Sequence, residues 1–169
     1  SRKFTPGFER NMPDALLKAM EKNDGVIHIN VGSTFLSKES QDKFDKMRED
    51  LLNYQTENAL DTEDSVYKAY VTQYAVDNDV YEDTEKVADH IDHVVKTVGI
   101  DYVAFGSDYD GVGDSLPKGM KDVSTYPNLI YELLKRGYSK EDIEKICYKN
   151  TFRVWNKVQE VANELQSEG

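Results

Sequence analysis

The chain has one cysteine, four prolines and one tryptophan in 169 residues. A lone cysteine, Cys147, rules out an intrachain disulfide framework, so packing and hydrogen bonds must hold the fold. Cys147 lies in an amphipathic helical pattern and reads as a small buried apolar residue. No apolar run approaches the ~18 residues that a membrane-spanning helix needs. Basic residues are also scarce: 21 Lys and Arg stand against 32 Asp and Glu, for a net charge of −11. That balance argues against nucleic acid and anionic membrane as partners. There is no nucleophile elbow, phosphate loop, Cys-x-x-Cys pair or dinucleotide fingerprint. No internal repeat or low-complexity tract appears. Ser1-Arg2-Lys3 resembles neither a signal peptide nor a natural start, which suggests processing or a fragment. The length still allows one domain with a real core.

What is present is organised around Tyr102 to Gly113. Val103-Ala104-Phe105 is a short apolar run that breaks into Gly106-Ser107 and then Asp108-Tyr109-Asp110-Gly111. A buried strand that stops at small residues and then presents a carboxylate is how a (β/α) barrel builds the rim of an active site. Gly106 and Gly111 allow a sharp turn and a close ligand approach. A second buried strand is expected at Val26–Val31, a β-branched run bounded by glycines. His28 within it has no partner at ligand spacing and reads as a hydrogen-bonded core histidine.

Helices fill the remainder. Ser1 to Glu9 is irregular. Pro13-Asp14 opens a first helix with Leu16, Leu17 and Met20 inward, stopped by Asn23-Asp24-Gly25. Residues 37–81 form a helical insertion. Phe44, Met47, Leu51 and Tyr54 line one helix; Tyr67, Tyr70, Val71 and Tyr74 line another. Tyrosine on the second face suggests half-exposed packing, as in a lid or an oligomer contact, and the sequence does not choose between them. Thr84 can cap a helix Glu85–Val98 with Val87, Ile91, Val94 and Val95 as its stripe. Helices follow from Thr125-Tyr126-Pro127 to Lys135, from a Ser139/Asp142 capping box to Tyr148, and after Asn150 with Phe152, Val154, Trp155 and Val158. The tail after Gln166 is expected to fray.

Two metal readings fail on their own terms. Asp108-x-Asp110 begins like a calcium loop, but Val112 and Gly119 stand where ligands are required. His90 and His93 share a helix face, yet no third ligand is nearby, and they read as structural hydrogen-bonding groups. Asp108 is the residue whose placement favours function.

Taken in order, several segments resemble the membrane dipeptidase (renal dipeptidase) family of zinc metallopeptidases. They are Arg10-Asn11-Met12-Pro13-Asp14, Val87-Ala88-Asp89-His90-Ile91-Asp92-His93 and Phe105-Gly106-Ser107-Asp108-Tyr109-Asp110-Gly111. Asp122-Val123-Ser124 with Tyr126-Pro127, Glu132 to Tyr138, Asn150 and Arg153-Val154 continue the match. It covers residues 10–36 and 82–158. The resemblance implies a (β/α)8 TIM barrel that hydrolyses dipeptides at a two-zinc site, with some members also opening β-lactams. It implies that residues 1–169 are the C-terminal part of one barrel domain, with its last two strands and the 37–81 insertion, and that the N-terminal part is absent. The family's metal ligands come from motifs this chain does not contain, so no metal ligand is assigned. The resemblance assigns Asp108 a catalytic role, exchanging a proton and holding the substrate's ammonium group. It assigns Arg10 to the substrate's terminal carboxylate.

Two strands cannot close a barrel or satisfy their own edges. The segment alone is therefore expected to depend on its N-terminal half and to be inactive. The partners expected are a dipeptide, that missing half and a possible second copy. The rival readings are a non-catalytic barrel-derived binding protein and another amidohydrolase-type hydrolase.

Overall fold

A computed structural model describes residues 1–167. In chain order the elements are α1 Asp14–Lys22, β1 Ile27–Asn30, α2 Ser33–Leu36, α3 Lys38–Glu57, α4 Ser65–Asp77, α5 Thr84–Val98, β2 Val103–Ser107, α6 Tyr126–Lys135, α7 Lys140–Glu144 and α8 Asn150–Ser167. Short 3-10 turns cover Arg2–Phe4, Ile100–Tyr102 and Val123–Thr125. The chain is thus mostly helical, and its two strands pair in parallel. β1 is shorter than its β-branched run, since Val26 and Val31 flank it, and Tyr102 belongs to a turn ahead of β2. The expectation of fraying falls largely on residues 168–169, which lie outside the described residues.

The core gathers on one side of the sheet. In α5 the residues Val87, Ala88, Ile91, Val94 and Val98 are buried along one stripe, as three- and four-residue spacing requires. They meet Leu17 of α1, Ile29 of β1, Val103 of β2 and Leu129 and Leu133 of α6. Period two in β1 sends Ile29 into this core and turns His28 to the open face. His28 is hydrogen-bonded, with Nδ1 2.9 Å from the Phe105 carbonyl oxygen, but it is exposed rather than core. On that face His28 shares a groove with Val154, Trp155 and Val158 of the last helix, α8.

Several local expectations need correction. Leu16 is 54% exposed, and Leu17 alone of that pair is buried. Asp83, not Thr84, caps α5, accepting a hydrogen bond from the Lys86 N–H. Its carboxylate also suits the positive end of the helix. Cys147 is half-buried, and burial pushes its thiol pKa up. The Ser139/Asp142 capping box forms as expected. No break follows it, because α7 runs into a π-helical turn at Lys145–Lys149 and on into α8. The Asn150 side chain lies at that join, and its Nδ2 donates to the carbonyls of Ile100 and Val103, both at 2.8 Å. The extra residue in the π turn aims this amide at the root of β2. Farther along α8, Phe152, Trp155, Val158 and Leu165 remain exposed.

Polar staples join the helices. Arg136 donates to Glu132, Asp89 and Asp92 at 2.8–2.9 Å and to the Glu85 carbonyl, fixing α6 against α5. His93 Nε2 lies 2.7 Å from Asp14 at the start of α1. His90 is buried with Nε2 2.8 Å from the Leu36 carbonyl and Nδ1 2.7 Å from the Ser1 nitrogen. Both histidines make structural hydrogen bonds, as expected of them. In the insertion, α3 and α4 meet through Tyr54 and Tyr70, stacked 3.7 Å apart. Tyr67, Tyr70 and Tyr74 are half-buried, as a tyrosine face implies.

Candidate functional site

The site grows from an irregularity in the strand pairing. Ile29 pairs with Phe105, but Asn30 pairs with Ser107, so Gly106 is left without a partner. One extra residue in a strand bends it and re-aims the side chains beyond. A β-carbon on Gly106 would lie 2.9 Å from His28 Cβ and 3.0 Å from the Ile29 oxygen. Only glycine lets the strands approach here. Pairing resumes where the Val31 N–H donates to the Ser107 carbonyl at 3.1 Å.

The bulge leads into two consecutive left-handed residues, Ser107 at φ 39° and Asp108 at φ 72°. Non-glycine residues in that region cost of order 1–3 kcal/mol each, and they concentrate at functional sites. The turn carries the Asp108 carboxylate out of the sheet and towards β1. There the Asn30 Nδ2 donates to Asp108 Oδ2 at 2.6 Å. The other Asp108 oxygen, Oδ1, faces Gly111, whose missing β-carbon would stand 3.1 Å from it. Beyond the carboxylate, Tyr109 packs edge-on to Tyr126, which stacks on Phe105. Buried Leu116 and Met120 hold the loop down. Its ends are tied by Ser33 N–H to the Ser115 carbonyl at 2.8 Å and Lys118 N–H to the Glu82 carbonyl at 2.7 Å.

Arg10 stands on the neighbouring rim. It is exposed, with its guanidinium 4.6 Å from the centre of the Phe35 ring. Asn11 holds that ring's residue in place, donating Nδ2 to the Phe35 carbonyl at 2.7 Å. Arg10, Phe35, His28 and Asn30 line one cavity of about 250 Å³. Asn30 is thus shared: it lines the cavity with Arg10 and touches Asp108. The sequence reading picked out Asp108 and Arg10 and passed over Asn30. Its signal was its position at the end of the first strand, two residues after His28 and on the same face. Among the described residues, no group of three or more His, Cys, Asp or Glu side chains could hold a metal ion. The residues here therefore do not fit a zinc site.

Asp108 does not itself line that cavity; Asn30 joins the strand-end carboxylate to the cavity that Arg10 lines. Comparison with known proteins gives the class. The membrane dipeptidase family (peptidase family M19) matches residues 6–169, and the chain belongs to it. The dipeptidase aclJ of Aspergillus oryzae is 33% identical over 156 residues, 92% of this chain and 28% of that protein. The dipeptidase ataJ of Aspergillus terreus is 46% identical over 84 residues, 50% of this chain and 20% of that protein. Among solved structures, the probable dipeptidase PvdM of Pseudomonas aeruginosa superposes with a TM-score of 0.66 at 26% identity. That match covers 91% of this chain and 42% of PvdM. A Rhodobacter sphaeroides metallopeptidase, solved with a phosphinate mimic of L-Ala-D-Ala, shares the fold at a TM-score of 0.56 and 22% identity, covering 85% of this chain and 30% of that one. The chain therefore spans well under half the length of these relatives.

Proposed function

We propose that this chain is part of a zinc-dependent dipeptidase and supplies the groups that read the two ends of the substrate. The observation that carries the proposal is Asn30. It lines the Arg10 cavity and hydrogen-bonds Asp108, and so links a cation and a carboxylate on one rim. A dipeptide has a free ammonium and a free carboxylate a few bonds apart. Asp108 suits the first as a charge partner and proton acceptor, and Arg10 suits the second through a two-pronged guanidinium contact.

The fold on this reading is the last part of a (β/α)8 barrel. The open edges of the two-stranded sheet and the exposed apolar side of α8 favour it. Those are surfaces that the rest of a barrel would cover. The two zinc ions would be held by other residues of the intact protein, and the 169 residues alone would be inactive.

The test uses the intact protein and a dipeptide beside its C-terminal amide. Arg10→Ala should raise KM for the free dipeptide by roughly tenfold or more, the scale of one lost charge-assisted contact, and change KM for the amide little. Equal effects on both would overturn the carboxylate clamp. Asp108→Asn should lower turnover by about 100-fold with metal content retained. Near-normal turnover would remove the role given to Asp108.

A further inference from the structure

We infer that Asn30 is a positioning residue for Asp108: it fixes one carboxylate oxygen and so leaves the other to the substrate. The inference rests on the reading of Asp108 as the group that meets the substrate. Three observations carry it. First, the orientation of the Asn30 amide is determined rather than free. Oδ1 accepts the Gly32 N–H at 2.8 Å, so Nδ2 must be the atom that points away from it. Nδ2 then meets Asp108 Oδ2 at 2.6 Å. Gly32 thus dictates which end of the amide Asp108 sees.

Second, the bulge sets the register of the contact. Gly106 is skipped, so Asn30 stands opposite Ser107, the residue before Asp108, through that bulge. With it, two residues 78 positions apart in sequence meet across the tops of the two strands. Third, the two carboxylate oxygens differ in their surroundings. Oδ2 is engaged by Asn30, whereas Oδ1 has no protein donor among the described residues and faces the bare Gly111. A carboxylate held at one oxygen cannot swing, and its free oxygen keeps a fixed direction for an ammonium group or a proton. Because Ser107 and Asp108 are both left-handed and Asp108 is exposed, the Asn30 bond is what anchors its side chain.

The alternative is that Asn30 only caps the end of β1 through Gly32. Two variants and one cycle separate these roles in the intact enzyme. Asn30→Asp keeps the shape and the acceptor for Gly32 but sets a second carboxylate beside Asp108 in place of the donor, so a retained kcat/KM would exclude a positioning role. The positioning role predicts a loss of about 10- to 100-fold, typical for a residue that orients a working group. Asn30→Ala should cost a similar factor in the native background and less than about twofold in an Asp108→Ala background, because nothing is then left to orient. Melting temperature and bound metal are measured for every variant. A full-sized Asn30→Ala loss persisting in the Asp108→Ala background would overturn the inference, as would active Asn30→Asp. If Asp108→Ala itself turned over normally, the reading of Asp108 would fail first, and the role of Asn30 with it.

Discussion

Asp108 shows how far one side chain depends on what its neighbours lack. Its Oδ1 faces a position where a β-carbon would come within 3.1 Å. Gly111 is not among the residues with positive φ, so its backbone would accept alanine, and the constraint is space alone. Gly111→Ala should therefore leave stability within about 0.5 kcal/mol, as for a surface change. It should push the carboxylate aside by a few tenths of an ångström and lower turnover of the intact enzyme by roughly tenfold. Thermal melting and kcat/KM, measured together, check this. Normal turnover would mean that Oδ1 does not face the substrate. Arg10 is placed differently, resting on Phe35 through a cation–π contact. Such a contact holds the guanidinium over the cavity and leaves its donors free for a carboxylate.

Among the elements, the β1–β2 pair decides the site. Gly106→Ala would set a methyl group against the backbone of His28 and Ile29 in the facing strand, where no side chain can swing away. Crowding of that kind costs about 1–3 kcal/mol. We expect a lower urea midpoint together with reduced turnover, because strands forced apart also separate Asn30 from Asp108. An unchanged midpoint would show that the strands tolerate the wider spacing. The sequence made much of this legible. The apolar run ending in Gly106 and Asp108 marked the strand and its carboxylate, and the spacing of Val87, Ile91 and Val94 marked the α5 stripe. What stayed hidden depends on register and partners distant in the chain. Nothing local to Asn30 says that it will meet residue 108, since a one-residue bulge in the other strand brings them together. Nothing local to His28 says that it stays exposed. The run from Lys140 to Ser167 read as two helices because Asn150 resembles a cap, yet its amide is spent on β2. Whether the 37–81 helices close over a substrate was equally unreadable, since tyrosine faces suit many partners.

For the molecule as a whole, His90 ties stability to pH. It is buried where α5 meets α2 and the N-terminal segment. Its Nε2 must donate to the Leu36 carbonyl, so Nδ1 accepts from the Ser1 nitrogen. The neutral ring therefore satisfies both contacts, and a second proton would set a donor against a donor. Burial pushes its pKa from 6.5 to about 3. The unfolded chain, with an ordinary histidine, takes up a proton below pH 6.5 that the folded chain refuses until about pH 3. Stability is thus fully present above 6.5 and declines as pH falls through that window, by up to roughly 1.4 kcal/mol per pH unit. Urea unfolding between pH 7 and pH 5 reads this effect together with that of the Ser1 amine, whose pKa burial lowers from 8.0 to about 5, while most carboxylates titrate lower. The midpoint should fall over that range. In His90→Gln, whose amide can still donate to Leu36, the slope should fall and leave the Ser1 share, even if the variant starts out less stable. An undiminished slope in His90→Gln would assign the pH dependence to other groups and show that this buried ring does not set the acid limit of the fold.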